Sequence, residues 1–345
     1  MARKAREARK ERIPAARYGI AEWFGKDIGL LTPEERQTFG RLAARQDQEN
    51  SLTGAPVCPF LSTLIPGARC NKASGVCSVR KYAAEGSIVA GDKVVTMCPS
   101  RFIQSVEPGK TLFSWIAEKM LDTAKVTVVK ETPFLRKIAD VQRPTDIAED
   151  MAAEAKEEEK QAGRIDWILV NPETVSAGEL EWCAVETQAL YFSGARMRLE
   201  FDAYAHAPSD LLFPTGKRRP DYRSSGPKRL WPQLDVKVPV LRSWGKKIVV
   251  VVDRFFYSNM NRLADPSPRA RSDKERRENA DVAWFIVDYD EHLHLTAGEV
   301  VFTSLDGSRI ALNATEPLSK ADFTQSLKNV IADESRTKKV FKVSE

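Results

Sequence analysis

The chain has 345 residues, of which 42% are hydrophobic and 29% charged, so it can form a packed core and is not globally disordered. Its formal net charge of +5 is a mild excess, and its distribution along the chain is more informative than its size. There is no run of about 18 apolar residues, which argues against a membrane span. With 3 histidines, the sequence argues against histidine-built metal sites and against a histidine general base.

The first 17 residues are basic and contain no apolar stretch, so we expect no secretory signal and a cytoplasmic protein. They form either a solvated arm or a phosphate-binding arm. Residues 20–25 are predicted to form one amphipathic turn anchored by aromatic side chains. A helix then begins with Thr32 as N-cap and Pro33 at its first position.

Four of the five cysteines lie in a Gly- and Pro-rich segment, residues 50–101: Cys58, Cys70, Cys77 and Cys98. Little else in this segment is expected to make a core, and a loop-rich region of this kind usually needs a staple. Four thiolates around one metal would supply it, and sulfur ligands favour zinc or iron. Because the spacing contains no Cys-x-x-Cys pair, four separate buried thiols remain an alternative.

Two short apolar runs, residues 163–170 and 182–190, are predicted to form a hairpin in which each strand carries one carboxylate. In a strand, positions i and i+2 share a face, so Glu186 and Gln188 project together and the hairpin brings Asp166 beside them. Buried carboxylates are costly unless they are paired, protonated or bound to a cation. A divalent metal held by both carboxylates matches the D…(E/D)-x-K arrangement of metal-dependent nucleases, with Gln at the usual Lys position.

Further elements follow from periodicity. Residues 111–124 predict a helix, residues 126–129 a strand leading to Glu131, and residues 145–161 an acidic helix. Residues 230–244 predict a helix with a kink or a break at Pro239. The stretch 247–253 is apolar on both faces, as a central strand of a parallel or mixed sheet requires. The remaining predictions are strands at 282–289 and 298–303, a helix at 319–332 and an exposed basic loop at 261–279.

Residues 208–229 are rich in Pro, Gly, Ser and Arg, and we expect an exposed loop. Its basic side chains either contact phosphates and bases or decorate a flexible surface. The candidates for contact with DNA are Lys217, Arg218, Arg219, Arg223, Lys228 and Arg229.

The order of these pieces resembles the NotI family of type II restriction endonucleases over most of the chain. The resemblance is carried by residues 20–25, by Cys58-Pro59-Phe60-Leu61, Cys70, residues 75–79 and 98–101, and by Asp166-Trp167, Glu186-Thr187-Gln188 and Ser193-Gly194. It implies an α/β protein whose core is of the PD-(D/E)XK type, a mixed sheet flanked by helices, with a small N-terminal metal-stapled domain. We accordingly divide the chain into an arm (1–19), a four-cysteine domain (20–108), a nuclease domain (109–335) and a basic tail (336–345).

The resemblance also implies an activity. It is Mg²⁺-dependent cleavage of double-stranded DNA, leaving 5′-phosphates, by a homodimer acting at a GC-rich palindrome in the bacterial cytoplasm. Asp166 and Glu186 would hold Mg²⁺, Gln188 would orient water, and the four cysteines would hold iron or zinc. A further upstream glutamate is expected, with Glu131 as first choice and Glu149 as second.

Two other functions remain open. One is a nuclease with the same core that acts in repair or defence without a fixed recognition sequence. The other is a non-catalytic DNA-binding protein with a metal module, which would leave Asp166, Glu186 and Gln188 without a role. A tetrathiolate electron carrier is a weaker third possibility, because such centres usually show closely spaced cysteine pairs.

Overall fold

The computed structural model describes residues 16–83, 87–89, 91–135, 163–176, 178–194, 196–206, 211–314 and 318–333. The chain divides into two compact units, one up to Asn313 and one from Ala314. The predicted acidic helix with Glu149, most of the basic arm and the basic tail lie outside the described residues. The domain boundary near residue 108 stays a prediction.

The strands are β1 (Arg17–Trp23), β2 (Lys26–Asp27), β3 (Val76–Tyr82), β4 (Val95–Thr96), β5 (Ser105–Glu107), β6 (Lys110–Thr111), β7 (Thr127–Pro133), β8 (Arg164–Val170), β9 (Trp182–Thr187), β10 (Tyr191–Gly194), β11 (Arg218–Asp221), β12 (Ile248–Asp253), β13 (Val282–Tyr289) and β14 (Leu295–Thr303). The α-helices are α1 (Pro33–Glu49), α2 (Leu112–Leu121), α3 (Arg198–His206), α4 (Tyr222–Ser225), α5 (Trp231–Ser243), α6 (Arg254–Ser258), α7 (Asp273–Asn279), α8 (Leu305–Asn313) and α9 (Lys320–Ala332).

The main sheet has six strands in the order β14-β13-β12-β9-β8-β7. Strand β12 is parallel to both of its neighbours, β13 and β9, whereas the other pairs are antiparallel. Every residue of β12 is buried, as expected for a strand whose run of four valines is apolar on both faces. The predicted central strand, the mixed α/β sheet and the hairpin between residues 163 and 190 are therefore confirmed.

A second sheet, with the order β2-β1-β3-β4, lies in the N-terminal part of the chain. The predicted amphipathic turn at residues 20–25 is wrong, because residues up to Trp23 belong to strand β1, which pairs antiparallel with β3. Ile20, Ala21 and Trp23 are buried, and the Trp23 indole donates to the carbonyl of Ser74 over 2.9 Å. Burial on both faces thus replaces the one-sided burial that a surface turn would show.

The cysteine-rich segment contains more core than its sequence suggests. Val76, Val79, Tyr82 and Val95 are buried on strands β3 and β4. The expectation that little besides the cysteines could build a core there is wrong, because sheet pairing packs these strand residues inside.

The helix starts are close to prediction. Thr32 caps α1 and Pro33 is its first residue, as predicted, and Glu35 completes a capping box with Thr32. Helix α5 covers residues 231–243 of the predicted 230–244 stretch and continues through Pro239, so no break occurs there. One π-helical turn, Gly226–Leu230, precedes it. None of the described helices is both long and apolar enough to span a membrane.

Two predicted loops contain regular structure. Residues 208–229 include β11, which pairs with β10, followed by α4 and the π-helical turn, so the prediction of an exposed loop is wrong for that part. Residues 261–279 end in α7, which Ser272 caps through the N–H of Glu275. In both places hydrogen bonds that the local sequence pattern does not reveal order the chain.

Candidate active site

Strands β8 and β9 bring two predicted site carboxylates to the same level of the main sheet. Trp167 pairs with Val185, and continuing that antiparallel register places Asp166 opposite Glu186. Residues directly opposite each other in antiparallel strands project on the same face. Burial raises the pKa of Glu186, and the charge of Asp166 on the facing strand adds to the shift.

The Asp166 carboxylate is fixed by the residue that follows Glu186. Its Oδ2 accepts the backbone N–H of Thr187 over 2.9 Å and the Thr187 hydroxyl over 3.0 Å. Two donors on one oxygen limit the rotation of the carboxylate and stabilise its charge. The hairpin therefore positions Asp166 before any ligand binds.

Glu186 is buried, with 3% of its surface exposed. Burial is the largest cause of its raised pKa, Asp166 adds to it and Lys237 opposes it, and the result is a pKa of about 8. The Lys237 ammonium donates to Oε1 of Glu186 over 2.6 Å, and its side chain is 1% exposed. A buried negative centre made of two carboxylates is thus partly compensated by one buried cation.

Gln188 lies next to this centre. Its backbone N–H donates to the carbonyl of Val251 over 3.0 Å, which continues the ladder between β9 and β12 by one residue. Its side-chain Nε2 donates to the carbonyl of Ala189 over 2.6 Å. Gln188 therefore keeps the strand geometry that places it on the face of Glu186, with its amide group turned along the chain.

Glu131 is level with Asp166 on the other side of β8, between the pairs Lys130–Trp167 and Thr132–Ile165. Its backbone has a φ of 50°, which is uncommon for a residue other than glycine. Its side chain is 53% exposed and pairs with Lys130. The structure thus brings the backbone of Glu131 to the site but directs its carboxylate to a surface lysine, while Glu149 lies outside the described residues.

The sequence pattern alone does not single out Lys237. It lies on the buried face of α5 with Leu234, Val238 and Leu241. A lysine in the apolar stripe of an amphipathic helix is the signal that was available, because lysine is almost never fully buried without a partner. The stripe does not say which carboxylate it meets.

The predicted DNA contacts separate into two groups. Five of them are exposed: Lys217, Arg219, Arg223, Lys228 and Arg229. Arg218 is buried, and its Nη2 donates to both carboxylate oxygens of Glu200 over 2.8 Å. Its guanidinium is therefore committed to the interior, whereas the exposed group surrounds strand β11.

Strand β10 connects the exposed basic side chains to the carboxylate centre. Strand β10 begins three residues after Gln188 and pairs with β11, where Arg219 is opposite Ser193. The Arg229 guanidinium stacks over the Tyr191 ring at 3.6 Å from its centroid. We call the five exposed side chains and Tyr191 the basic hairpin surface.

The four predicted metal-ligand cysteines are all buried and reduced. Burial raises the pKa of Cys70 to about 11, and Cys98 and Cys58 add to that shift. Burial also raises the pKa of Cys77, with contributions from Cys98 and Cys70. The thiols are thus near one another, although within the described part of the chain no three His, Cys, Asp or Glu side chains are arranged to hold a metal ion.

The fold and this site describe an α/β protein with a mixed sheet that holds paired carboxylates beside a basic surface. A family model described as restriction endonuclease NotI matches residues 40–300, which include the cysteines, the hairpin and α5. The chain therefore belongs to the NotI restriction endonuclease family, and the resemblance seen in the sequence is confirmed. Membership implies a deoxyribonuclease that binds DNA. No curated protein matches the chain significantly.

Proposed function

We propose that the protein is a type II restriction endonuclease that hydrolyses both strands of DNA at a fixed sequence in a Mg²⁺-dependent reaction. The observation that carries this proposal is the placement of Asp166 opposite Glu186 on adjacent strands, in a chain of a restriction endonuclease family. The core would then be of the PD-(D/E)XK type, with Asp166, Glu186 and Gln188 as its motif residues.

The donor set fits Mg²⁺. Carboxylate oxygens are the ligands that this cation prefers, and it is usually held by one or two of them together with water and substrate phosphate. Asp166 and Glu186 supply two such groups. Burial raises the pKa of Glu186 and the charge of Asp166 adds to the shift, and a divalent cation between the two carboxylates would offset both effects. The backbone carbonyl of Thr187 is a further candidate ligand.

The reaction would replace the P–O3′ bond with a bond from phosphorus to a water oxygen, leaving a 5′-phosphate and a 3′-hydroxyl. Bound Mg²⁺ would supply the positive charge that polarises the phosphate and acidifies the attacking water. Thr187 keeps Asp166 in place through two hydrogen bonds. Gln188, which carries no charge, would use its amide oxygen to orient water rather than to remove its proton.

DNA recognition would rest on the basic hairpin surface. Its five cationic side chains can neutralise phosphates, and Arg and Lys are also the usual readers of guanine in the major groove. A palindromic, GC-rich site would follow from a two-fold homodimer, in which each copy cuts one strand. Arg218 is left out of this surface because Glu200 holds it inside.

Cys58, Cys70, Cys77 and Cys98 are proposed to hold a structural iron or zinc ion. Burial and neighbouring thiols raise the pKa of Cys70 and Cys77, and a metal ion would favour the deprotonated form that burial disfavours, although the described side chains are not arranged around one ion. The function of this metal would be to hold the cysteine-rich segment together.

The test is a digest of plasmid and phage DNA by the purified protein with Mg²⁺, beside a sample with excess EDTA. Discrete fragments that need Mg²⁺ are expected, and sequencing their ends gives the recognition site. A smear would indicate the nonspecific nuclease. Binding of DNA with no cleavage of substrates that cover many sequences would indicate the non-catalytic binder and overturn the proposal.

A further inference from the structure

Among the described ion pairs, Lys237–Glu186 differs from the other deeply buried ones. The pairs Arg101–Glu22 and Arg218–Glu200 are buried to the same degree, with side chains at most 5% exposed. In each of them one arginine nitrogen donates to both glutamate oxygens. Lys237 instead donates to Oε1 of Glu186 alone and makes no hydrogen bond to the second carboxylate oxygen.

This single contact fits a carboxylate that has to serve another partner. An arginine clamp uses both oxygens and gives fold specificity, whereas an ammonium is a compact point charge that can share the carboxylate with a cation. Lys237 is also held by its own helix, because Nζ donates to Oε1 of Gln233 over 3.1 Å, one turn earlier. Helix α5 thus presents an ammonium fixed at two points to one oxygen of Glu186.

The strand that carries Glu186 is not followed by a cation at the position where the D…(E/D)-x-K arrangement usually has lysine. Position 188, two residues after Glu186 and on the same strand face, is a neutral glutamine. The positive charge beside the paired carboxylates comes from α5 instead.

We propose that Lys237 is a positioning residue for the cleavage reaction: it fixes the Glu186 carboxylate and supplies from helix α5 the positive charge that Gln188 does not provide. This inference rests on the proposed nuclease function. Because Lys237 is buried, it acts through Glu186 and does not contact DNA.

The first variant is Lys237→Met, which keeps the length and apolar stem of the side chain but removes the ammonium. We expect it to bind DNA with the Kd of the wild type, while the single-turnover cleavage rate falls about 100-fold, the size of effect expected when a reacting group is misplaced. The exposed Lys125→Met is the matched control and is expected to cut at the wild-type rate. Thermal unfolding of each variant measures its folded fraction.

A second substitution separates positioning from simple packing. Adding Gln188→Lys to Lys237→Met places an ammonium on the strand, two residues from Glu186. We expect this double variant to cut at least about tenfold faster than Lys237→Met, because the charge is restored from the other side. A role in packing alone predicts no gain, since the interior of α5 is unchanged.

Wild type and Asp166→Ala are run beside these variants. If the wild type does not cut DNA, the proposed function and this inference both fail. If the wild type cuts and Asp166→Ala does not, the inference alone is overturned by any of three results: Lys237→Met cutting within about threefold of wild type, a loss of cutting matched by a loss of DNA binding or folding, or no gain from Gln188→Lys. Should Lys237→Met fail to fold, Gln233→Leu decides, with a several-fold slower cut in support and an unchanged rate against.

Discussion

The backbone N–H of Thr96 donates to Oδ2 of Asp253 over 2.6 Å, and the carbonyl of Thr96 accepts the N–H of Leu190 over 2.9 Å. Thr96 lies on strand β4, two residues before Cys98, whereas Leu190 follows Gln188 by two residues. The cysteine-rich segment is therefore hydrogen bonded directly to the residues that follow strand β9 and to the last residue of the central strand β12. Loss of structure in one is expected to disturb the other.

Asp253 should make stability depend on pH. Burial raises its pKa from 3.8 to about 6 in the folded protein. Between those pH values the folded state keeps on Asp253 a proton that the unfolded state has lost, so the contribution of Asp253 to the free energy of unfolding falls as pH rises from about 4 to 6 and then levels off. Two pKa units correspond to about 3 kcal/mol.

Urea unfolding of the wild type and Asp253→Asn at pH 4 to 7 measures this effect. The asparagine variant keeps one acceptor oxygen and so loses one of the two backbone hydrogen bonds, from Thr96 or from Phe256, at every pH, which gives a constant offset. The difference between wild type and variant should shift steadily in favour of the variant as pH rises to 6. A difference that does not change with pH would contradict the assigned role of burial.

Thr187→Val should slow cleavage. It keeps the β-branched shape but removes the hydroxyl that donates to Oδ2 of Asp166. Loss of one hydrogen bond to a charged group is worth about 1.5 kcal/mol, so a fall of about tenfold in the single-turnover rate is expected, with DNA affinity unchanged. Thr187→Ser retains the hydroxyl and should stay within about threefold of wild type. Equal rates for the valine and serine variants would show that the backbone N–H alone fixes Asp166.

Adjacent arginines on β11 should behave in opposite ways. Arg218→Gln leaves Glu200 buried without its cation and should destabilise the fold by about 3 kcal/mol. Arg219 lies on the surface, so Arg219→Gln should change stability by less than about 0.5 kcal/mol. It should weaken DNA binding and reduce the slope of log affinity against log salt concentration by about 1. Urea unfolding and salt titrations of binding distinguish them. An unchanged DNA affinity of Arg219→Gln would exclude Arg219 from the proposed contacts with DNA.

Cys77→Ser should release the proposed structural metal. It removes one of four neighbouring thiols, whereas Cys183→Ser removes the buried thiol of strand β9, whose raised pKa results mainly from burial and has no contribution from another cysteine. Elemental analysis should find about one iron or zinc per chain in the wild type and in Cys183→Ser, and far less in Cys77→Ser. Equal metal content in all three proteins would contradict the tetrathiolate site.

Much of the main sheet is predictable from sequence because its strands are continuous apolar runs such as Ile248–Asp253. The sequence pattern does not predict strand β1. Its partner β3 begins more than fifty residues later, and residues 20–25 alone carry no sign of that pairing. Strand β11 was not predicted for the same reason, since Pro220 and three charged neighbours suggest a loop. Long-range pairing decides both.

The candidate site likewise contains one relationship that the sequence predicts and two that it does not. The position of Asp166 opposite Glu186 is predictable because strands β8 and β9, which carry them, are close in sequence. The Lys237–Glu186 contact joins residues 51 positions apart and depends on how α5 packs against the sheet, which helical periodicity does not specify. The direction of the Glu131 side chain depends on a positive φ that its sequence context does not reveal.

The most direct test of the account compares cleavage of a plasmid carrying one mapped site by wild type, Asp166→Asn, Glu186→Gln and Asp235→Asn, with DNA binding measured in parallel. Asp235 is an exposed carboxylate on α5 and serves as the matched control. The account predicts that both site variants bind DNA yet cut at least about 1000-fold more slowly, while Asp235→Asn cuts like the wild type. Cutting by Asp166→Asn or Glu186→Gln at a rate near that of the wild type would contradict it.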